Sequence, residues 1–225
     1  MDTKPKKHRL ITYSALLLAA ATTTFAFVAD VPAFAKANPF TDVKTTNSHY
    51  TAITNLYNDG IVTGVTASLY KPGQDATRGE AALFLANALG LNTKNVKNPG
   101  FSDVSTTSKY YGAIAALHAK GIVGGYGKTF KPNNTLTRAQ LAKMVTLGFD
   151  LTQASATTTK FTDVNKLTDA ATKRYIQTLV DYNITNGTTA TTFSPNKNLT
   201  RAQLATFLYN SINVTSNDFD LIDVE

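Results

Sequence analysis

Phe-Thr-Asp-Val at residues 40–43 recurs as Phe-Ser-Asp-Val at residues 101–104 and again as Phe-Thr-Asp-Val at residues 161–164. The tetrapeptide thus returns at intervals of about 60 residues, and self-similarity at a fixed period is the sequence signature of a repeat architecture. A unit of this length cannot bury its apolar faces alone. We therefore expect three copies to pack together around one shared core.

The first helix of each copy is predicted from apolar residues at positions i, i+3 and i+4, which lie on one helical face. These positions hold Ile53, Leu56 and Tyr57, then Ile114, Leu117 and His118, then Ile176, Leu179 and Val180. The third copy carries a two-residue insertion before its helix. Each run ends at Gly60, Gly121 or Asn183, residue types that tolerate the left-handed conformation at a helix C-terminus.

A turn-rich connector leads from the first helix to a second one. It contains a glycine, then an aromatic residue two positions before proline, at residues 64–72, 125–132 and 187–195. The second helix begins with Thr-Arg-x-Glu or Thr-Arg-x-Gln at residues 77–80, 137–140 and 200–203, which matches a capping box. Each repeat is therefore predicted as helix, loop, helix, and the polar stretches 92–100 and 152–160 are predicted as linkers.

These signatures resemble the S-layer homology family, whose repeats carry an opening Phe-x-Asp-Val, a Gly-Ile-x-x-Gly turn, an aromatic-x-Pro and a closing Thr-Arg-Ala-Glu. The resemblance covers residues 40–212. It implies an all-α fold of three helix-loop-helix repeats in a pseudo-three-fold, three-pronged assembly. It also implies non-covalent attachment to secondary cell-wall polysaccharide, typically carrying pyruvate ketals, in grooves between the prongs.

The chain departs from the family pattern at two kinds of position. Many members have a tryptophan near the first helix, whereas this chain has none, and Tyr50, Tyr110 and Tyr111 are candidate aromatic substitutes. The closing acidic residue is present only as Glu80, because Gln140 and Gln203 replace it in the other repeats. Glutamine still completes a capping box.

Residues 1–35 are interpreted as a secretory signal peptide. Basic residues precede a mostly apolar stretch at 10–27, and Ala33-Phe34-Ala35 provides a small-x-small cleavage pattern. The alternative is an uncleaved membrane anchor, since the apolar stretch approaches the length of a spanning helix. The predicted organisation is then repeat 1 at 36–91, repeat 2 at 92–151, repeat 3 at 152–213 and an acidic tail at 214–225, in a secreted protein of the cell surface or cell wall.

The composition limits the classes of function. The chain has no cysteine, which excludes a disulfide framework, a thiolate zinc site and a thiol nucleophile. Its net charge of +7 is spread along the chain, which favours an acidic extracellular polymer over nucleic acid as partner. No catalytic or metal-binding motif is found, so we expect a non-enzymatic protein without cofactor, metal or, after signal cleavage, membrane contact. A surface-protein partner stays open.

Three arginines are the main candidates for ligand binding: Arg78, Arg138 and Arg201. Each directly follows the capping threonine, where the helix dipole disfavours positive charge, and an arginine beside unpaired helix amides forms a site for a carboxylate. A pyruvyl ketal would provide that carboxylate. The alternative is a structural pairing of these arginines with aspartates. Because cap and arginine are different residues, Arg138→Ala is predicted to change the free energy of unfolding by less than about 0.5 kcal/mol.

The other candidate ligand residues each have a structural alternative. Asp42, Asp103 and Asp163 would orient the arginines or bond sugar hydroxyls, or they simply form turns. Gly64 and Gly125 would let the backbone approach a sugar, or they meet a turn requirement. Tyr50 and Tyr111 would stack on sugars or pack in the core. His118 is predicted to pack on a helix face, and His49 is isolated in the sequence.

An alternative function is a structural S-layer component or assembly protein that forms lattice contacts. A wall hydrolase would require a catalytic domain, for which these residues provide no motif.

Overall fold

The computed structural model describes residues 37–220, and it describes their side chains as far as residue 216. Over this range the protein is all-α apart from isolated β-bridges, which confirms the predicted fold class. The helices are α1 (Tyr50–Asn58), α2 (Arg78–Ala88), α3 (Tyr111–Ala119), α4 (Arg138–Gly148), α5 (Thr162–Asn165), α6 (Ala170–Asp181) and α7 (Arg201–Asp220). None of these helices is both long and apolar enough to cross a membrane. The predicted signal peptide lies outside the described residues.

The predicted helix boundaries are confirmed at both kinds of signal. Gly60, Gly121 and Asn183 all have positive φ, at 72°, 72° and 55°, so each closes its helix in the left-handed conformation. At the start of α4 the Gln140 amide donates to Thr137 Oγ1 over 3.3 Å, and the Thr137 amide donates to Gln140 Oε1 over 3.1 Å. Equivalent reciprocal bonds open α2 and α7.

Repeat 3 differs from the predicted helix-loop-helix pattern by the extra short helix α5. Asn165 at its end exchanges two hydrogen bonds with the backbone of Thr159, over 2.9 Å each. The Lys173 ammonium donates to the Asn165 carbonyl over 3.0 Å. These bonds stabilise the additional turn that accommodates the two-residue insertion.

The C-terminal boundary also differs, because α7 continues to Asp220. It thus extends into the predicted acidic tail at 214–225. Val214 in this extension is partly buried and packs against the core.

The most extensive helix contacts join different repeats. The closest pairs are α2 with α3, α4 with α6 and α7 with α1, so the second helix of each repeat packs against the first helix of the next. The three second helices also contact one another. This pairing is cyclic, because repeat 3 returns to repeat 1.

Three backbone hydrogen bonds close the ring at its centre. The Ala76 amide donates to the Leu199 carbonyl over 2.8 Å, the Leu199 amide to the Leu136 carbonyl over 2.9 Å, and the Leu136 amide to the Ala76 carbonyl over 3.0 Å. All three residues are fully buried, where an unpaired amide or carbonyl would be strongly unfavourable. Each repeat therefore completes the backbone hydrogen bonding of its neighbours.

Aromatic pairs connect the opening motif to the connector within each repeat. The ring of Phe101 lies 5.6 Å from that of Phe130, and Phe40 with Tyr70 and Phe161 with Phe193 form the equivalent pairs at 5.3 and 5.8 Å. The connector aromatics are almost completely buried. Their backbone carbonyls consequently occupy fixed positions at the boundary with the preceding repeat in the ring.

Candidate binding grooves between the repeats

The three candidate arginines lie buried at the junctions between repeats. Arg78, Arg138 and Arg201 are only 8%, 3% and 1% exposed. In each, Nε donates to the carbonyl of the connector aromatic in the next repeat of the ring. These bonds are Arg78 to Phe130 at 3.0 Å, Arg138 to Phe193 at 2.7 Å and Arg201 to Tyr70 at 2.8 Å.

Each guanidinium also lies over the ring of that same aromatic residue. The distance from the guanidinium carbon to the ring centroid is 4.6 Å for Arg78 over Phe130, and Arg138 over Phe193 and Arg201 over Tyr70 are similar, at 4.5 and 4.6 Å. A desolvated cation–π contact of this kind contributes about 2 kcal/mol. Burial nevertheless lowers the pKa of Arg78 and Arg138, because it disfavours the charged form.

This burial overturns the prediction that Arg138→Ala would leave stability nearly unchanged. The side chain is enclosed by Phe193 and Phe207 and makes a short hydrogen bond to a buried carbonyl. Alanine would remove both interactions and leave a cavity.

The helix amides beside the arginines are not available to a ligand, contrary to the sequence-based expectation. At the start of α4 the Arg138 amide donates to the Lys197 carbonyl over 3.1 Å and the Ala139 amide to the Pro195 carbonyl over 3.0 Å. The next amide is bonded within the capping box. The corresponding amides of α2 and α7 are occupied in the same way. The guanidinium groups, and not the backbone amides, therefore remain as the candidate anion donors of these Thr-Arg motifs.

The three aspartates hold the connector turn. Asp103 accepts hydrogen bonds from the amides of Phe130 and Lys131 over 2.8 and 2.7 Å, and Lys131 has a φ of 61°. Partial desolvation raises the pKa of Asp103, but backbone amide hydrogen bonds and the Lys131 charge together outweigh it and leave the pKa below its ordinary value. Asp42 and Asp163 bond the equivalent amide pairs.

Within the part of the chain whose side chains are described, the arginines form no ion pair with these aspartates. The geometry supports the turn-forming alternative for Asp42, Asp103 and Asp163. Their contact with sugar hydroxyls stays a prediction.

The groove between repeats 3 and 1, here groove 3–1, contains an arginine with every nitrogen bonded. Arg201 Nη1 forms an ion pair with Glu80, and Nη2 donates to the Thr63 carbonyl over 2.7 Å. Together with the Nε bond to Tyr70, these contacts occupy the guanidinium from within the protein.

The groove between repeats 1 and 2, here groove 1–2, holds Arg78 and a cavity of about 220 Å³. Arg78 Nη2 donates to the Gly124 carbonyl over a longer distance of 3.3 Å. Tyr126 stands at the edge of this cavity with 48% of its surface exposed. Its hydroxyl accepts a hydrogen bond from Gln140 Nε2 over 3.1 Å.

The groove between repeats 2 and 3, here groove 2–3, contains the larger cavity, of about 500 Å³. Arg138 lines it, and the Nη2 atom of Arg138 is buried without any hydrogen-bond partner. The remaining lining is rich in amides, hydroxyls and positive charge, from His49, Asn186, Thr188, Lys197, Gln203, Thr206 and Asn210. A buried, unpartnered guanidinium nitrogen is energetically unfavourable, so this groove is suited to an anion.

A difference in the connector of repeat 3 accounts for the unpartnered nitrogen. Gly187 has a φ of 89°, whereas its counterparts Gly64 and Gly125 do not have positive φ. The Asn186 carbonyl, directly before Gly187, does not accept from Arg138 Nη2, whereas the Gly124 and Thr63 carbonyls accept from Nη2 of their arginines.

The candidate glycines are explained by a close approach within the protein. A Cβ on Gly64 would lie 2.5 Å from the Phe40 ring, and one on Gly125 would lie 2.3 Å from the Phe101 ring. Gly125 also lines the cavity of groove 1–2. Contact of either glycine with a sugar stays a prediction.

The candidate tyrosines and the histidines have different surroundings. Tyr50 and Tyr111 are partly buried against the core and line neither cavity, which supports the packing alternative. The His118 ring meets the Phe101 ring edge-on at 5.2 Å. His49 is not isolated, because its Nδ1 lies 2.7 Å from Thr206 Oγ1 at the wall of groove 2–3. Burial lowers the pKa of His49.

Comparison with known proteins identifies the repeats. The model of the S-layer homology domain matches residues 39–82, 100–142 and 160–205. The chain belongs to the S-layer homology domain family. This confirms the resemblance and its three tandem repeats, each match running from the opening motif into the second helix.

The S-layer homology repeats are shared with several larger proteins. The chain is 35% identical over 193 residues to an S-layer protein of Bacillus thuringiensis subsp. finitimus, and 33% identical over 193 residues to the S-layer protein sap of Bacillus anthracis. Each alignment covers 84% of this chain and 23% of the relative. It is also 28% identical over 186 residues to the exoglucanase XynX of Acetivibrio thermocellus, covering 81% of the chain and 17% of that protein.

The chain thus spans less than a quarter of the length of these curated relatives. Family membership and the S-layer proteins among the relatives indicate a secreted protein associated with the cell surface or cell wall, as predicted. Among residues 37–216 there is no cluster of three or more His, Cys, Asp or Glu side chains that could hold a metal ion.

Proposed function

We propose that the protein anchors itself to the cell wall by binding pyruvylated secondary cell-wall polysaccharide, without covalent attachment, in the grooves between its repeats. The observation that carries this proposal is the buried Arg138 Nη2 atom, which has no partner and belongs to a residue lining a cavity of about 500 Å³. A ligand carboxylate in that cavity would neutralise this desolvated cation and would accept a charge-assisted hydrogen bond from its guanidinium.

The rest of groove 2–3 fits an acidic saccharide. Its volume lies within the range of small-molecule sites, and Lys197 adds a second positive charge. The amides of Asn186 and Asn210 and the hydroxyl of Thr188 both donate and accept hydrogen bonds, as sugar hydroxyls do. Groove 1–2 is a smaller second candidate, where Arg78 has a weaker bond and Tyr126 is exposed.

The grooves also explain why anchoring would require the assembled repeats. Groove 2–3 combines Arg138 of repeat 2, Gln203 of repeat 3 and His49 of repeat 1. A single repeat cannot form this cavity, so an isolated repeat should bind the polymer poorly.

The proposal is tested by sedimentation of the protein with purified wall polymer, before and after mild acid removal of the ketal pyruvate. Binding should fall when pyruvate is removed. Arg138→Met should reduce binding about tenfold or more, the effect of losing a hydrogen bond to a charged group. Arg174→Met is the matched control, since Arg174 is exposed on α6 and lines neither cavity. Equal binding of depyruvylated polymer, or equal loss in both variants, would contradict the proposal.

A structural role in the surface lattice is the second candidate, which the S-layer proteins among the relatives favour. It predicts ordered two-dimensional arrays of the purified protein in negative-stain electron microscopy. Monodisperse protein at high concentration would argue against it.

A further inference from the structure

His49 of repeat 1 reaches the groove between repeats 2 and 3. It is the N-cap residue of α1, but its side chain makes no capping bond to that helix. Instead its Nδ1 lies 2.7 Å from Thr206 Oγ1 on α7, and both residues line the cavity of groove 2–3. Within residues 37–216 the other ring nitrogen, Nε2, has no hydrogen-bond partner. That nitrogen is therefore available to a ligand.

The counterpart of His49 in repeat 2 is a packing residue. Tyr110 is the N-cap residue of α3, and a Cβ on Gly79 would lie only 2.6 Å from the tyrosine ring. The ring therefore packs directly on the backbone of α2. On α7 the position of Gly79 is taken by Ala202, whose methyl group fills that space. A ring at position 49 cannot lie on α7 in the same way, and His49 contacts α7 one turn later, at Thr206.

Thr206 occupies the place that a lysine has in the neighbouring groove. Its counterpart on α4 is Lys143, since each is the sixth residue after the capping threonine. Lys143 lines the cavity of groove 1–2 together with Arg78, so that groove has a permanent positive charge at this position. In groove 2–3 the same position holds a neutral hydroxyl that bonds an imidazole. A positive charge is present there only when His49 is protonated.

The protein's own charges disfavour the protonated form of His49. The charged side chains lining the cavity are those of Arg138 and Lys197, both positive, and among the described residues no carboxylate lines it. Helix α1 itself has no charged residue, and the α7 residues at the cavity are neutral. Burial acts in the same direction and lowers the pKa of His49. A carboxylate bound in the cavity would offset one positive charge and favour a proton on the imidazole.

We infer that His49 is a ligand-binding residue of groove 2–3 that takes up a proton from the solvent when an acidic ligand binds. The imidazolium has a donor on each nitrogen, so Nδ1 donates to Thr206 Oγ1 while Nε2 donates to the ligand. Groove 2–3 should therefore bind an acidic saccharide more tightly in mild acid than at neutral pH. The inference rests on the proposed function, because it concerns the same groove and the same ligand.

Nuclear magnetic resonance of the full-length protein tests the inference on the imidazole itself. The probe is a methyl glycoside carrying a pyruvate ketal, whose carboxyl group stays ionised at the pH values where histidine titrates. Saturating probe should raise the midpoint of the His49 titration by about one pH unit or more. The midpoint of His118, which lines neither cavity, should stay unchanged. If the probe binds and the His49 midpoint does not rise, the proposed function stands and this inference is wrong.

Isothermal calorimetry measures the same linkage through affinity. A rise of one pH unit in the midpoint makes binding up to about tenfold tighter at about pH 5 than at about pH 8. His49→Gln cannot take up this proton and should bind no more tightly in acid. His118→Gln is the matched control and should keep the pH dependence of the original protein. Equal pH dependence in both variants would overturn the inference.

Sulfate separates the role of His49 from the nature of the polymer, since sulfate keeps its charge where histidine titrates. Compared with chloride at equal ionic strength, sulfate should raise the titration midpoint of His49 and not that of His118. If the glycoside fails to bind but sulfate has this effect, the polysaccharide assignment falls and the role of His49 stands. If neither probe raises the His49 midpoint, the inference is wrong.

Discussion

Replacing each buried arginine by methionine should have unequal effects on stability. Methionine fills a similar volume without charge, so the difference between two sites reports mainly on the hydrogen bonds and ion pairs that methionine cannot form. We compare Arg201, whose nitrogens are all bonded, with Arg138, which has an unpartnered nitrogen. The two side chains are otherwise alike in burial and in stacking.

The structure provides the expected magnitudes. Arg201→Met leaves the Glu80 carboxylate, itself only 12% exposed, without its partner, and breaking a buried pair in this way costs about 3–5 kcal/mol. Arg138→Met loses one charged hydrogen bond, about 1.5–3 kcal/mol, but also removes a buried unsatisfied donor that costs about 1–3 kcal/mol. Arg138→Met should therefore lower the free energy of unfolding by only about 0–2 kcal/mol.

Urea unfolding followed by circular dichroism measures this difference directly, and calorimetry should show Arg201→Met melting about 5–10 °C below Arg138→Met. Both proteins should be compared without ligand, in low-phosphate buffer. If Arg138→Met is as destabilised as Arg201→Met, the unpartnered nitrogen is not a source of strain, and the argument for an anion in groove 2–3 loses its support.

Three further outcomes are expected. Thr137→Ala should lower the free energy of unfolding by about 1 kcal/mol in urea, since it removes the cap of α4, and an unchanged midpoint would contradict this role. Gly125→Ala should lower the free energy of unfolding by about 2–3 kcal/mol, because its Cβ would lie 2.3 Å from Phe101. Gly124→Ala, with nothing within 4 Å of its Cβ, should melt at almost the same temperature as the original protein. Burial lowers the pKa of His49 from its ordinary value of 6.5, so the unfolded chain binds more protons than the folded protein below this pH. The free energy of unfolding should therefore fall as the pH drops through about 6.5. His49→Gln should remove this pH dependence in melting curves between pH 5 and 8.

The helices were predictable from the sequence because their signals are local. A capping box joins residues three positions apart, such as Thr137 and Gln140. A helix C-terminus in the left-handed conformation depends on one residue, such as Gly121. The extra helix α5 was not predicted, since it depends on side-chain bonds of Asn165 that have no counterpart in the other repeats.

The candidate site was only partly predictable, because its contacts join distant parts of the chain. The sequence identified Arg138 but not its burial, since its partner, the Phe193 carbonyl, is 55 residues away. The prediction of free amides was wrong for the same reason, since connectors of other repeats occupy them. His49 contacts Thr206, which is 157 residues away in the sequence, and no local sequence pattern indicates this contact.

The three hydrogen bonds among Ala76, Leu136 and Leu199 have a consequence for how the protein comes apart. In an open array of repeats, the terminal units have one neighbour each and fray first. In this ring every repeat has two neighbours, and because α7 contacts α1, there is no terminal repeat from which unfolding could start. Fraying from an end is thereby suppressed, so a pulling force on the wall-bound protein must disrupt the packing against two repeats at once before any one repeat can leave.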